Sequence, residues 1–178
     1  MSVTRELLNY LRDQRDDLDL TATIKGERRP VFNEREILHM KDVKDLFQRG
    51  YRLRNISILL ILVFGGLAVA AGGKRSGKVF AKSFVTVAAV YFGLILLLVF
   101  LLNVDFTKYF DQFHYLFFTN DLWQLDPNRD VLIQMVPEAF FFDTAIRIIV
   151  SFIMAMAFLS AVSWVCLKKK SRQKRPLN

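Results

Sequence analysis

Cysteine and histidine are almost absent from this chain: one cysteine, Cys166, and two histidines, His39 and His114, occur in 178 residues. A lone cysteine excludes a disulfide within the chain and any zinc site built on paired thiolates. Neither histidine belongs to a His-Glu-x-x-His pattern, so no zinc motif is readable. The apolar core of a secretory leader is missing too. Residues 1–54 hold twelve Lys or Arg and ten Asp or Glu, and read as a polar domain. Acids are missing in turn from two basic stretches. One carries Lys74, Arg75, Lys78 and Lys82, and the tail after Leu167 carries six basic residues.

What is present in excess is apolar. A hydrophobic fraction of 53% with 17 Phe exceeds what a soluble domain of this length usually carries. These residues collect in three uncharged blocks, and about 20 such residues cross roughly 30 Å of hydrocarbon. The first runs from Ile56 to about Gly72 and contains Gly65-Gly66, the second from Ser83 to Asn103, and the third from Ile148 to Leu167. The expected fold is an all-α membrane protein with transmembrane helices at 55–72, 83–103 and 148–167. A short loop at 73–82 joins the first two, and a basic tail follows at 168–178. Two polar segments, 1–54 and 104–147, form a small cap with short helices and a β-hairpin.

Basic residues in short loops mark the cytoplasmic side. The 73–82 loop and the tail therefore read as internal. The segment from Val104 to Arg147, with three basic and seven acidic residues, reads as external. Three spans then place 1–54 outside as well, with nothing before it to carry it across, so one further span before Ser2 is expected. The tail reads as a cytoplasmic anchor to anionic headgroups rather than a nucleic-acid patch. Cys166, at the inner end of the third span, reads as a packing residue. It lies about a bilayer away from both histidines, which excludes a Cys–His pair.

Within the first polar segment, Ser2 can cap a helix from Val3 to about Arg12 with Val3, Leu7 and Leu11 on one stripe. Leu18, Leu20, Ala22 and Ile24 then alternate with polar residues, as a strand does. Lys25-Gly26-Glu27 can turn the chain into a second strand from Arg29 to Phe32, which Pro30 restricts to an edge. Asn33 and Glu36 form a capping-box pair, Phe32 can staple to Ile37, and the helix so opened contains His39. Gly50 is expected to break or bend it. In the second segment Phe106, Tyr109 or Phe110, Phe113 and Phe117 recur at helical spacing, with His114 beside them. Asp126-Pro127 and Pro137-Glu138 read as helix starts.

Two histidines on one side of the membrane, each with a carboxylate one turn away, are a candidate acid–base pair. Glu36 and Asp42 flank His39, and Asp111 precedes His114. The competing readings are a structural histidine pair within an interfacial aromatic belt and a metal site completed by these acids. The rival of another class is a non-enzymatic scaffold or lipid-binding protein. A hydrolase would have Ser57 as its only obvious nucleophile.

The residues carry a resemblance. Glu36-Ile-Leu-His39-Met-Lys-Asp42-Val43 comes first, and Phe113-His114-Tyr115-Leu-Phe-Phe118 follows with Asn120, Trp123, Leu125-Asp126-Pro127, Pro137-Glu138 and Phe141. This pattern resembles the lipoprotein intramolecular transacylase (Lit) family of integral membrane proteins across almost the whole chain. The family normally has four spans, and this sequence departs by lacking the first. The resemblance implies an acyltransferase of the bacterial cell membrane that works on its extracytoplasmic face. It moves the acyl chain of the second glycerol carbon of a diacylglyceryl-cysteine lipoprotein to the free amine of the same cysteine, giving a lyso-form lipoprotein. It implies His39 and His114 as catalytic residues, and Asp42, Asp111, Tyr115, Asn120, Trp123 and Asp126 as orienting or substrate-binding ones. No cofactor or metal is implied. The partners are a diacylated lipoprotein N-terminus and membrane lipid, with no nucleic acid.

Overall fold

The computed structural model describes residues 2–172 apart from Lys25. For Ile24, 72–76, 78 and 166–172 it gives only the backbone course. The element order is α1 (Val3–Leu11), β1 (Thr21–Ile24), β2 (Glu27–Pro30), α2 (Glu34–Val104), α3 (Phe106–Phe117), α4 (Val131–Met135) and α5 (Glu138–Arg172). The chain is thus mainly helical with one small antiparallel sheet. It divides into two units, residues 1–58 with 107–141 and residues 59–106 with 142–178.

The first unit is built on a small core of Leu7, Tyr10, Leu18, Val31, Phe32, Met40 and Leu132. Helix α1 buries Leu7 and Tyr10 from its apolar stripe. Its end is closed by a Schellman arrangement. Asp13 takes φ 61°, its N–H donates to Tyr10 O at 3.1 Å, and the Gln14 N–H donates to Asn9 O at 2.8 Å. Side chains of α2 then hold this end. Lys44 pairs with Asp13 at 2.8 Å and lies 4.6 Å over the Tyr10 ring, while Gln48 Nε2 donates to Leu11 O at 3.0 Å.

Both strands are four residues long: β1 is shorter than the alternation predicts, β2 starts two residues before the expected Arg29, and they pair from Thr21↔Pro30 to Ile24↔Glu27. The turn places Gly26 at φ 89°, which a side chain tolerates poorly. Pro30 ends the second strand, where its missing N–H costs nothing.

Helix α2 opens with the reciprocal bonds expected of a capping box. Asn33 N–H donates to Glu36 Oε2 at 2.7 Å, and Glu36 N–H donates to Asn33 Oδ1 at 3.0 Å. It does not break at Gly50, and it stays helical through 73–82, where a loop is expected. No proline lies between Pro30 and Pro127. Glycine weakens a helix interior by about 1 kcal/mol without forbidding it, so glycines and cations alone were insufficient marks of a break. Asp126-Pro127 does not start a helix either. Asp126 Oδ1 accepts the Asn128 N–H at 2.9 Å in a turn, and α4 begins at Val131.

In the second unit the apolar side chains face outward. Leu62, Phe100 and Phe158 are 67%, 64% and 68% exposed, which water does not tolerate over so large a continuous surface and lipid does. Among the described residues three helical stretches are long and apolar enough to cross a membrane: Glu34–Ala71, Val79–Val104 and Glu138–Val165. Hydroxyls and amides there bond back to their own helix. Thr86 Oγ1 donates to Lys82 O at 3.1 Å and Ser151 Oγ to Arg147 O at 2.8 Å, while Asn103 Nδ2 donates to Val99 O at 2.8 Å. Such bonds remove the need for water. The side chains of Cys166 and of the basic tail lie outside the described residues.

Candidate active site

The first stretch is longer than a bilayer needs, and its charge falls at one end. Residues 34–54 include Arg35, Glu36, Lys41, Asp42, Lys44, Asp45, Arg49, Arg52 and Arg54. Hydrocarbon does not accept that density, and the uncharged portion begins only at Ile56, seventeen residues after His39.

His39 and His114 are brought together in the first unit. Both are 7% exposed, and their ring centroids lie 6.1 Å apart with planes tilted 38°. His39 projects from the second turn of α2 and His114 from the last turn of α3. Phe118 packs against both, at 5.4 Å and 5.7 Å. Phe110 and Phe113 set their edges against His114 at 4.5 Å and 5.5 Å, and Trp123 stacks on it at 4.7 Å with planes 23° apart. Aromatic spacing along α3 thus builds the walls of the histidine site.

Electrostatics follow from that enclosure. Burial pushes the His39 imidazole down to about 4. The neighbouring His114 and Arg35 act in the same direction, and Asp42 acts against them. Burial also lowers His114, opposed by its bond to Phe110 and by Asp111. Both rings are therefore neutral at neutral pH. His114 Nδ1 lies 2.7 Å from Phe110 O. A carbonyl only accepts, so this nitrogen carries the proton and Nε2 is left with its lone pair. His39 Nδ1 is buried with no hydrogen-bond partner.

The segment between α3 and α4 is clipped to α2 on both sides of His39. One turn after it, Asp42 Oδ2 accepts from Asn120 Nδ2 at 2.8 Å. One turn before it, Arg35 donates through Nη2 to Asp121 O and lies 3.4 Å from Asp121 Oδ2. Trp123, two residues on, is thereby held against His114. Tyr115 meets the Trp123 ring edge-on at 5.1 Å.

The sequence-derived residues thus separate. His39, His114, Asp42, Tyr115, Asn120 and Trp123 form one cluster, with Asp111 acting on His114 through its charge. Asp126 is engaged elsewhere, its side chain accepting from Asn128. Glu36, which sequence spacing offers as a partner for an imidazole, is 1% exposed and spends both oxygens on the N–H groups of Asn33 and Leu132. Arg35 was missed. The signal was its position one turn before His39, but a search for carboxylates passes over a cation. Ser57 lies eighteen residues along α2 from His39, about 27 Å at the helical rise, beyond reach as a nucleophile for it. Among the described residues no three His, Cys, Asp or Glu side chains gather as a metal site.

Comparison with known proteins addresses the same region. The solved structures include one that this chain is similar to, the in meso structure of the membrane integral lipoprotein intramolecular transacylase Lit from Bacillus cereus. The TM-score is 0.63 at 22% identity, over 97% of this chain and 75% of that one. At that identity the likeness establishes a shared fold. No curated protein matches the chain. The model of the family described as lipoprotein intramolecular transacylase Lit matches residues 1–141, a stretch that takes in both histidines and the clipped segment beside them. The chain therefore belongs to the lipoprotein intramolecular transacylase family.

Proposed function

We propose that this protein transfers the acyl chain on the second glycerol carbon of a diacylglyceryl-cysteine lipoprotein to the α-amine of that cysteine, with His114 and His39 moving the protons. Membership of a lipoprotein transacylase family supplies the reaction class. The observation that carries the mechanism is the pair of buried, neutral imidazoles 6.1 Å apart, one with its tautomer fixed by Phe110 O.

The amine and the ester belong to one molecule. Attack of nitrogen on the ester carbonyl passes through a roughly eight-membered ring, so proximity supplies much of the acceleration and no enzyme nucleophile is needed. The amine must lose a proton to attack, and the glyceryl oxygen must gain one to leave. The free Nε2 of neutral His114 suits the first role, and the same proton, returned from the imidazolium to the glyceryl oxygen, completes the second. A new C–N bond replaces the C–O bond, and no water is consumed. His39 faces the same reacting group and stabilises its charge as the proton moves. Asp42 and Asp111 favour the transient imidazolium forms. The extracytoplasmic position of this site, read from the charge of the loops, agrees with where the mature N-termini of lipoproteins lie.

The test is expression in bacteria that make a tagged diacylated lipoprotein, with mass spectrometry of its N-terminal peptide. Wild type is expected to shift one acyl chain to the amine, and His39→Gln and His114→Gln to leave the peptide diacylated with protein still in the membrane. An unchanged peptide in the wild type supports a non-enzymatic membrane protein instead.

A further inference from the structure

Buried side-chain nitrogens are almost always paired, because an unmade bond in a dry interior is costly. Among the described residues three are not: Arg35 Nε, His39 Nδ1 and Trp123 Nε1. All three belong to the histidine cluster. An imidazole nitrogen can donate or accept, but Arg35 Nε and Trp123 Nε1 only donate. Neither has an acceptor within the described residues, so each is open to an oxygen acceptor from outside the chain.

Their placement narrows the choice. Arg35 stands one helical turn before His39 and is anchored on Asp121, two residues from Trp123. The Trp123 ring stacks on His114 at 4.7 Å. The two donors therefore flank the two imidazoles that handle the protons. Anchoring of the Arg35 guanidinium through Nη2 leaves Nε–H uncommitted, and a fixed donor needs no reorganisation when charge appears.

We infer that Arg35 Nε–H and Trp123 Nε1–H are the donors that hold the acyl carbonyl oxygen as it becomes an oxyanion, which makes Arg35 a further catalytic residue. This rests on the transacylase reading above. When the amine nitrogen bonds to the carbonyl carbon, the carbonyl π pair moves onto oxygen as negative charge. When the bond to the glyceryl oxygen breaks, the pair returns to re-form the carbonyl, and the departing oxygen takes the proton removed from the amine.

The experiment uses the full chain in phosphatidylcholine nanodiscs and a synthetic peptide with an N-terminal diacylglyceryl-cysteine. Single-turnover conversion is followed by tandem mass spectrometry, and binding is measured with the same peptide N-acetylated, which cannot react. Arg35→Lys keeps a cation for Asp121 and removes the Nε donor. Trp123→Phe keeps an aromatic ring against His114 and removes the N–H together with one ring of the indole, so it tests the donor even where Arg35→Lys loosens the loop. Each variant is expected to slow conversion by about 10²-fold or more, the usual effect of deleting one such donor, with binding of the N-acetylated peptide changed by no more than about two-fold. Conversion by Trp123→Phe or by folded Arg35→Lys at the wild-type rate overturns the inference and leaves the transacylase reading standing. Equal losses of rate and of N-acetylated peptide binding also overturn it, assigning both residues to the loop. A wild type that converts nothing refutes the transacylase reading and this one with it.

Discussion

Glu36 Oε1 accepts the backbone N–H of Leu132, 96 positions further along the sequence, at 2.6 Å. The other oxygen of the same carboxylate accepts the N–H of Asn33, so one buried side chain caps the start of α2 and satisfies the first turn of α4. Nearby, Asp130 uses one oxygen for Asn33 Nδ2 at 2.8 Å and the other for the Asp126 N–H at 2.6 Å. These bonds tie the opening of α2 to the segment that follows the histidine loop.

Glu36→Ala is expected to destabilise the protein by about 3 kcal/mol, because two buried N–H groups lose their acceptor. The effect should appear in thermal unfolding in detergent. Folded Glu36→Ala is expected to keep most of its turnover, since the carboxylate touches neither imidazole; a folded variant without turnover would return Glu36 to the reacting groups.

The His39 imidazole titrates at about 4 when folded, against 6.5 when unfolded. Below 6.5 the unfolded chain takes up a proton that the native state refuses, so stability falls with pH between about 6.5 and 4 and levels off below. His114, lowered in the same direction, steepens the fall. Melting of the wild type across this window, compared with His39→Gln, checks the sign: the variant should lose less stability on acidification.

Asp42 favours the charged form of His39. Asp42→Asn is therefore expected to lower the His39 pKa further, seen by nitrogen-15 imidazole NMR. It also exchanges the acceptor that holds Asn120 at 2.8 Å for an amide, which can still accept. The protein should stay folded while turnover falls several-fold, on the order of the loss of about 1 kcal/mol of charge stabilisation.

Gly50 lies within an unbroken helix, and a methyl group there meets nothing within 4 Å. Gly50→Ala is expected to raise stability by about 0.5–1 kcal/mol, through helix propensity and a less flexible unfolded chain. A loss of stability on chemical or thermal unfolding would mean that the helix needs a bend at this point.

Local rules reached much of this molecule from the sequence. The apolar blocks were legible because lipid demands about 20 uncharged residues in a row, and the capping box because its two bonds join residues three apart. The Phe repeat around His114 foretold the helix that carries it. Asp126-Pro127 misled because the pair is permitted in more than one backbone state, and neighbours in space decide between them.

By itself the sequence determined a membrane-spanning, mainly helical chain with His39 and His114 in separate polar segments, since periodicity, charge and hydropathy act over a few turns. The tertiary structure alone decided the assignments among nearby polar groups. It gave the second oxygen of the capping-box Glu36 to the Leu132 N–H instead of to His39, and brought Arg35 Nε and Trp123 Nε1 to the imidazoles without an acceptor for either nitrogen. Those choices depend on which donors and acceptors meet across some eighty to a hundred residues of chain. No spacing rule along the sequence carries that information.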